Sequence, residues 1–296
     1  MGVARLHQLA IKRSEEAVTS GAMCPLPTRV EPCSGPSAQG FELRHLIGSP
    51  PRHLRPAGPK PNPFLPWDRR LELEPVGSHH VLILNKYPVQ IGHMLLISRQ
   101  WAPQTGWLTP LDWKAVHAVR KDSDGLWFFN SGPSAGASQP HRHLQLLPRE
   151  AGESLCPRES WWKSRLDATT EPSTGEPCTG DPLNVHTNAV ALQNDSAEAL
   201  HASYLNLCRA QGIGSPDLDP NPLRPYNLLF CDRWMGLVSR RRDECHGFSV
   251  NALGFAGYLL SSEQSDRSWL DSHGPEALLI EVVSSANVRG STDAVG

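Results

Sequence analysis

Apolar positions along the chain change period several times, and each change predicts an element. Val3, Leu6, Leu9 and Ala10 recur at an approximate helical spacing that Ser20 and Gly21 close, which predicts a first helix within residues 1–20. From Pro25 to about Pro66, prolines and glycines forbid regular helix, and only Phe41–Arg44 is strand-like. This stretch reads as a long, mostly extended arm, and Phe64, Leu65 and Trp67 favour an arm wrapped over the rest of the protein. Two apolar runs follow, Val81–Leu84 and Gly92–Ser98, joined by the turn residues Asn85–Pro88: two buried strands. Thr109 and Pro110 predict the capped start of a helix over 110–120. Leu126–Asn130 and His141–Leu147 read as two more strands.

Residues 149–185 are polar and rich in Pro, Gly, Ser and Thr, and read as a long loop or lid. Asp195–Gly212 has a helical pattern, Tyr226–Phe230 and Trp234–Ser239 form a hairpin, and a last helix is expected from about Pro275 to Ala286. The sum is an antiparallel-leaning α+β protein without internal repeats.

Composition narrows the chemistry. A net charge of −2 and a pI near 6.7 exclude a strongly basic nucleic-acid or membrane-surface binder. Positive charge for any anionic ligand must therefore be gathered locally. The densest basic run, Arg240–Arg242, reads as a solvated loop. No apolar run reaches a membrane span, and the N-terminal segment lacks a secretory core, so a cytoplasmic location is expected. Seven cysteines without a C-x-x-C pair argue against a disulfide framework or a cysteine zinc site.

The segment Ser131–Pro148 carries the chemistry. Gly132, Ser134, Ala135, Gly136, Ala137 and Ser138 make a loop whose backbone can approach a ligand, and whose amides can cradle phosphate oxygens. Directly after it, His141, His143 and Gln145 alternate with Arg142, Leu144 and Leu146, so on a strand two imidazoles and an amide share one face. Three readings compete. A His-x-His pair can chelate a metal, although Gln is a poor third zinc ligand. The row could be structural. Or a neutral imidazole beside a phosphate-binding loop acts as a nucleophile.

These residues resemble a family. His141-Arg142-His143-Leu144-Gln145 is similar to the H-x-H-x-Q signature of the histidine-triad transferase branch, and more closely to diadenosine tetraphosphate phosphorylases, also called ATP adenylyltransferases. Asn62–Pro66, Leu84–Tyr87, Phe129–Pro133, Gly136–Gln139, Tyr226–Leu229, Arg233–Met235 and Val250–Gly257 extend the likeness over about residues 18–285. The resemblance implies a histidine-triad-like α+β fold: an N-terminal helix and arm (1–66), a core carrying the motif (67–185), and a C-terminal part completing the same catalytic unit (186–296).

It also implies a two-step displacement with His143 as nucleophile, its ring oriented by a carbonyl of the motif, and His141 contacting phosphate or supporting the second step. Gln145 would hold phosphoryl oxygens without acid or base chemistry. Lys60 and Lys86 would supply charge; Asn130, Gly136, Ala137, Ser138 and Gln139 would bind the phosphates; and Asn85 would reach the nucleoside end. Ser249, Val250, Asn251 and Gly254 would form a second nucleotide contact. The implied partners are nucleotides and inorganic phosphate, with no nucleic acid or membrane, on a monomer or weak homo-oligomer. No tightly bound cofactor or metal is expected, though magnesium would travel with a polyphosphate.

Against this pattern, no lysine follows Leu260, and Ala118–Asp124 is short for the family's helix before the next strand. The rivals are a histidine-triad hydrolase, a sugar-phosphate nucleotidyltransferase and a silent nucleotide sensor.

Overall fold

The computed structural model describes residues 4–48, 62–150, 152–168 and 181–284. Helix α1 (Arg5–Thr19) leads into strands β1 (Thr28–Glu31) and β2 (Glu42–Leu46). Strands β3 (Glu72–Val76), β4 (His80–Leu84) and β5 (Met94–Ser98) precede helix α2 (Pro110–Arg120). Strands β6 (Gly125–Asn130) and β7 (His143–Pro148) flank the glycine-rich loop, and helix α3 spans Glu159–Ala168. Then come β8 (Thr187–Ala191), α4 (Ala197–Ala210), β9 (Tyr226–Phe230) and β10 (Trp234–Ser239). Short strands β11 (Glu244–Cys245) and β12 (Phe248–Ser249), helix α5 (Ala252–Ala256), strand β13 (Tyr258–Ser261) and helices α6 (Arg267–His273) and α7 (Pro275–Val283) complete the chain.

Eight strands form one antiparallel sheet in the order β3-β4-β5-β7-β6-β9-β10-β8. Alternation along its strands divides the apolar residues between two faces. Leu82, Leu96, Leu144, Trp127 and Phe230 enter a core with Leu6 and Ala10 of α1, Trp113 of α2, and Leu200 and Tyr204 of α4. The opposite face is covered in two parts. Phe128, Leu229, Trp234 and Val238 pack beneath α3, α5 and α7 through Trp162, Phe255 and Leu278. Over β4 and β5, where no helix lies, Val81, Ile83, Leu95 and Ile97 are covered by Phe64 and Trp67. Of the described part of the arm, Phe64 lies on this sheet, while β1 and β2 form a second, three-stranded sheet in which β2 pairs in parallel with β13.

The expected antiparallel α+β architecture forms, with corrections. The stretch 149–185 is not all loop: α3 lies within it, because Trp162 stacks on Trp234 (ring centroids 5.2 Å apart) and is fully buried. Gly236 makes room for that stack, since a Cβ there would stand 2.2 Å from the Trp162 ring. The helix before β6 is complete as far as Arg120, whose guanidinium is buried against Asp232 and Asp195. Arg240 is the larger correction. It is 1% exposed rather than solvated, because its guanidinium hydrogen-bonds the Asn227 side chain and the carbonyls of Arg242 and Val250.

Candidate active site

His143 opens β7 opposite Ile97 of β5, and Gln145 stands opposite Leu95 on one side and Phe128 on the other. Continuing that register sets Asn130 across from His143. All these side chains share the face that Phe64 covers, with its ring 5.3 Å from His143 and 5.8 Å from His141. The sequence predicts a strand starting at His141; it starts at His143. Pro140 has no N–H to offer a neighbouring strand, and the segment 102–104 pairs with 140–142 instead, Arg142 N–H donating to Ala102 and Gln104 N–H to Pro140.

Gln104 is the residue that sequence reasoning missed. Its side chain is 1% exposed and lies between the ends of β6 and β7. Its Oε1 accepts from the His143 N–H (2.8 Å), and its Nε2 donates to the carbonyls of Asn130 (2.7 Å) and His143 (3.2 Å). One amide thus replaces a strand-to-strand contact and fixes the backbone on both sides of the site. Its only sequence signal was a polar residue in a loop of Pro, Gly and Trp.

The His143 ring is almost fully buried, and its Nδ1 lies 2.8 Å from the His141 carbonyl. A carbonyl can only accept, so Nδ1 carries the proton and Nε2 carries the lone pair. Burial pushes the ring down to about 4, so it stays neutral and nucleophilic at physiological pH. His141 is used differently from the expectation. Its Nε2 donates to the Ser98 carbonyl (2.7 Å), its Nδ1 accepts from Asn62 Nδ2 (3.0 Å), and it is fully buried. Both ring nitrogens are hydrogen-bonded within the protein, and its carbonyl holds the His143 ring.

Behind the motif, Arg142 points to the other side of the strand and pairs with Asp112 (2.9 Å), which also accepts from His80 (2.8 Å) and from Thr109 at the capped start of α2. Burial alone would raise the Asp112 carboxyl, but the His80 hydrogen bond and the Arg142 charge outweigh it and hold the group below its ordinary range. The histidine motif is thereby fastened to the helix cap beneath it.

The glycine-rich loop meets the C-terminal segment. Gly132 and Gly136 both take positive φ (136° and 83°), and a Cβ on Gly136 would stand 2.6 Å from Asn251. The predicted positions 136 and 251 are therefore neighbours. The amides of Gly136 and Ala137, expected to cradle phosphate, are instead bonded to Pro133 and Gly132 inside the turn. What the loop leaves for a ligand is its polar side chains, Ser138 exposed and Gln139 half-buried.

Asn130 is buried, and its Oδ1 accepts from Asn227 Nδ2 (2.8 Å) and from the Ala252 N–H (3.0 Å). Of the other expected C-terminal contacts, Asn251 caps α5 through the Leu253 N–H, while Val250 and Gly254 are buried packing residues. Ser249 is exposed at the end of β12.

Asn85 does not reach outward. Its Oδ1 accepts from the Tyr87 N–H, and its Nδ2 donates to His93 Nδ1 (3.1 Å). His93, a second residue the sequence did not single out, lies on the site face against Phe128 (5.7 Å). Burial pushes it down to about 4, with Gln145 and His143 as its polar neighbours. Lys86 is exposed, its ammonium 5.7 Å from the Tyr87 ring. Lys60 lies outside the described residues.

A buried, neutral, carbonyl-oriented imidazole beside a small-residue loop can form a covalent bond to phosphorus and release it again. Comparison with known proteins bears on this arrangement. The family description "Ap4A phosphorylase N-terminal domain" matches residues 2–158, and "ATP adenylyltransferase C-terminal domain" matches residues 182–285. Protein APA1 of Saccharomyces cerevisiae is 29% identical over 203 residues, which are 61% of this chain and 60% of that protein. Diadenosine 5',5'''-P1,P4-tetraphosphate phosphorylase 2 of the same yeast is 26% identical over 206 residues, 63% of each chain.

The chain thus spans about three fifths of the length of the curated relatives it matches. The crystal structure of yeast Ap4A phosphorylase Apa2 aligns over 98% of both chains at 21% identity with a TM-score of 0.70, and its complex with Ap4A at 20% identity with a TM-score of 0.67 (95% and 96% covered). These structures share its fold. With the first family description alone matching more than half of its residues, the chain belongs to the Ap4A phosphorylase family, matching both its N-terminal domain and the ATP adenylyltransferase C-terminal domain.

Proposed function

We propose that the protein is a nucleotidyltransferase that cleaves diadenosine tetraphosphate by phosphorolysis to ADP and ATP. The observation that carries this reading is the His143 ring, buried, neutral and held by Nδ1 to the His141 carbonyl so that Nε2 is the free nucleophile. In the first step Nε2 attacks the α-phosphorus, the bond from that phosphorus to the bridging oxygen breaks, and ATP leaves with the electron pair. AMP remains on the ring. In the second step an oxygen of inorganic phosphate attacks the same phosphorus, the phosphorus–nitrogen bond breaks, and ADP departs as the neutral ring returns.

Gln145, Asn130, Ser138 and Gln139 hold phosphoryl oxygens in this reading, and charge stabilisation at those oxygens is the main catalytic work. Lys60, Lys86 and Asn251 are proposed as outer contacts, Lys86 by its exposed ammonium and Asn251 by its place against Gly136. The arm (1–66), the core (67–185) and the C-terminal part (186–296) act as one catalytic unit; Phe64 over the histidines and a sheet joining strands from both halves support this. Magnesium, where it takes part, arrives with the polyphosphate. A cytoplasmic setting belongs to the same reading. Among the described residues no helix is long and apolar enough to cross a membrane.

The yeast relative named as a diadenosine tetraphosphate phosphorylase supports phosphorolysis over hydrolysis, as does an amide at Gln145, which cannot deliver a proton to or from water. Product analysis decides. Diadenosine tetraphosphate incubated with inorganic phosphate yields ADP and ATP, and omission of phosphate abolishes ADP. AMP and ATP formed at equal rates without phosphate would identify a hydrolase instead.

A further inference from the structure

Arg240 is an anomaly of charge. Arg240 is 1% exposed, burial drags it down to about 10 against the opposing charge of Asp243, its Nε is buried without a partner, and among the described residues no carboxylate forms an ion pair with it. Its partners are the Asn227 side-chain oxygen, two carbonyls, and the Phe255 ring at 5.2 Å. A buried cation is costly unless it is fully hydrogen-bonded, so a neutral residue would serve packing better. The hydrogen-bond chain that starts at Arg240 ends at Asn130 of β6, the strand beside His143, and its polarity is fixed by groups that can act in only one way.

A guanidinium only donates, so the Asn227 atom facing Arg240 is oxygen. The Asn227 NH2 then faces away, and its two hydrogens go to Asn130 Oδ1 (2.8 Å) and to the Ala135 carbonyl (2.8 Å), which can only accept. Asn130 Oδ1 also takes the Ala252 N–H (3.0 Å), a group that can only donate. Both lone pairs of that oxygen are thereby occupied. The Asn130 NH2 is the end left outside the network, on the face where His143 stands. Arg240, just past the end of β10, thus acts with the Ala135 carbonyl and the Ala252 N–H in setting which end of the Asn130 amide the site presents.

We propose that Arg240 and Asn227 form a donor relay that holds Asn130 with its NH2 toward the substrate, so that the site offers hydrogen-bond donors, and not an acceptor, to phosphoryl oxygens at His143. The inference rests on the polyphosphate reading given above. It makes Arg240 a positioning residue, acting through Asn227 and Asn130 and also tying the glycine-rich loop (Ala135) to the start of α5 (Ala252). An amide turned the other way would set an oxygen against a phosphate oxygen and repel what the site must bind.

Conservative variants separate this role from bulk stability. Asn227→Asp keeps shape and its attraction to Arg240 but has no hydrogens for Asn130 or Ala135. Arg240→Lys keeps a cationic donor; Arg240→Met removes it while preserving apolar bulk. A charge-assisted hydrogen bond is worth about 1.5–3 kcal/mol, so Asn227→Asp and Arg240→Met should raise KM for diadenosine tetraphosphate by about tenfold to a hundredfold, with kcat changed far less. Arg240→Lys should recover most of the loss.

The direct readout is the Asn130 side-chain NH2 resonance, identified by its loss in Asn130→Asp and titrated with tripolyphosphate well below the melting temperature. It should shift in the wild-type protein and in Arg240→Lys, and stay still in folded Asn227→Asp. No shift in the wild type, or an equal shift in Asn227→Asp, overturns the relay. Wild-type protein that fails to turn over diadenosine tetraphosphate sinks the phosphorolysis reading alone, because the tripolyphosphate titration still decides the relay.

Discussion

At the scale of single residues the account turns on neutral imidazoles. His143 and His93 are both pushed down to about 4 by burial, well below an ordinary histidine near 6.5. On the proposed mechanism the His143 ring therefore stays neutral and able to attack far into acid. Initial rates at subsaturating substrate should show no acid limb near pH 6.5, and a loss of activity with a midpoint near 6.5 would contradict the buried, neutral ring. The same shifts affect stability. The unfolded chain takes up two protons as pH falls through about 6.5, whereas the folded chain takes them up only near 4. Stability is thus full above pH 6.5 and falls between 6.5 and 4, by up to about 3 kcal/mol per ring. Melting temperatures across that range should decline steeply in the wild type, and less so in His93→Gln. Equal slopes would mean His93 is not buried neutral.

At the scale of elements, the motif strand depends on what stands behind it. Removing one partner of a buried, hydrogen-bonded ion pair costs about 3–5 kcal/mol, so Asp112→Ala should lower stability by that order through loss of the Arg142 and His80 contacts. Urea unfolding measures it, and a change below about 1 kcal/mol would show the α2 cap to be dispensable. Gln104→Leu, close in size, leaves the His143 N–H and the Asn130 carbonyl without their partner. Each orphaned group costs roughly 1–3 kcal/mol, and kcat should fall more steeply than KM rises because the nucleophile itself is displaced.

These elements also mark how far the sequence could be read. Strands β4, β5, β6, β9 and β10 and helices α2 and α4 announced themselves through apolar runs and caps, since each buries a continuous stripe. Helix α3 did not, because within a polar stretch only Trp162 is fully buried among its described residues, with Trp161 and Leu166 partly buried beside it. The His-x-His-x-Gln row was legible by alternation, and the loop before it by its glycines and small residues. Gln104, His93 and Arg240 were not, for their roles come from what they meet across the sheet and not from their neighbours in the chain.

At the scale of the whole molecule, one sheet serves two tasks. One face carries the larger core under α1, α2 and α4. The other is divided between a helical cover and the arm, and His143 lies on the arm's part, where Phe64 stands against both histidines and Asn62 hydrogen-bonds His141. The account's central claim is covalent transfer through His143. The measurement that tests it most directly is intact-protein mass after mixing with diadenosine tetraphosphate in the absence of phosphate. The account predicts a single added AMP, absent in His143→Ala, that inorganic phosphate discharges as ADP. An active enzyme that never carries the adduct, or that carries it unchanged in His143→Ala, would contradict it.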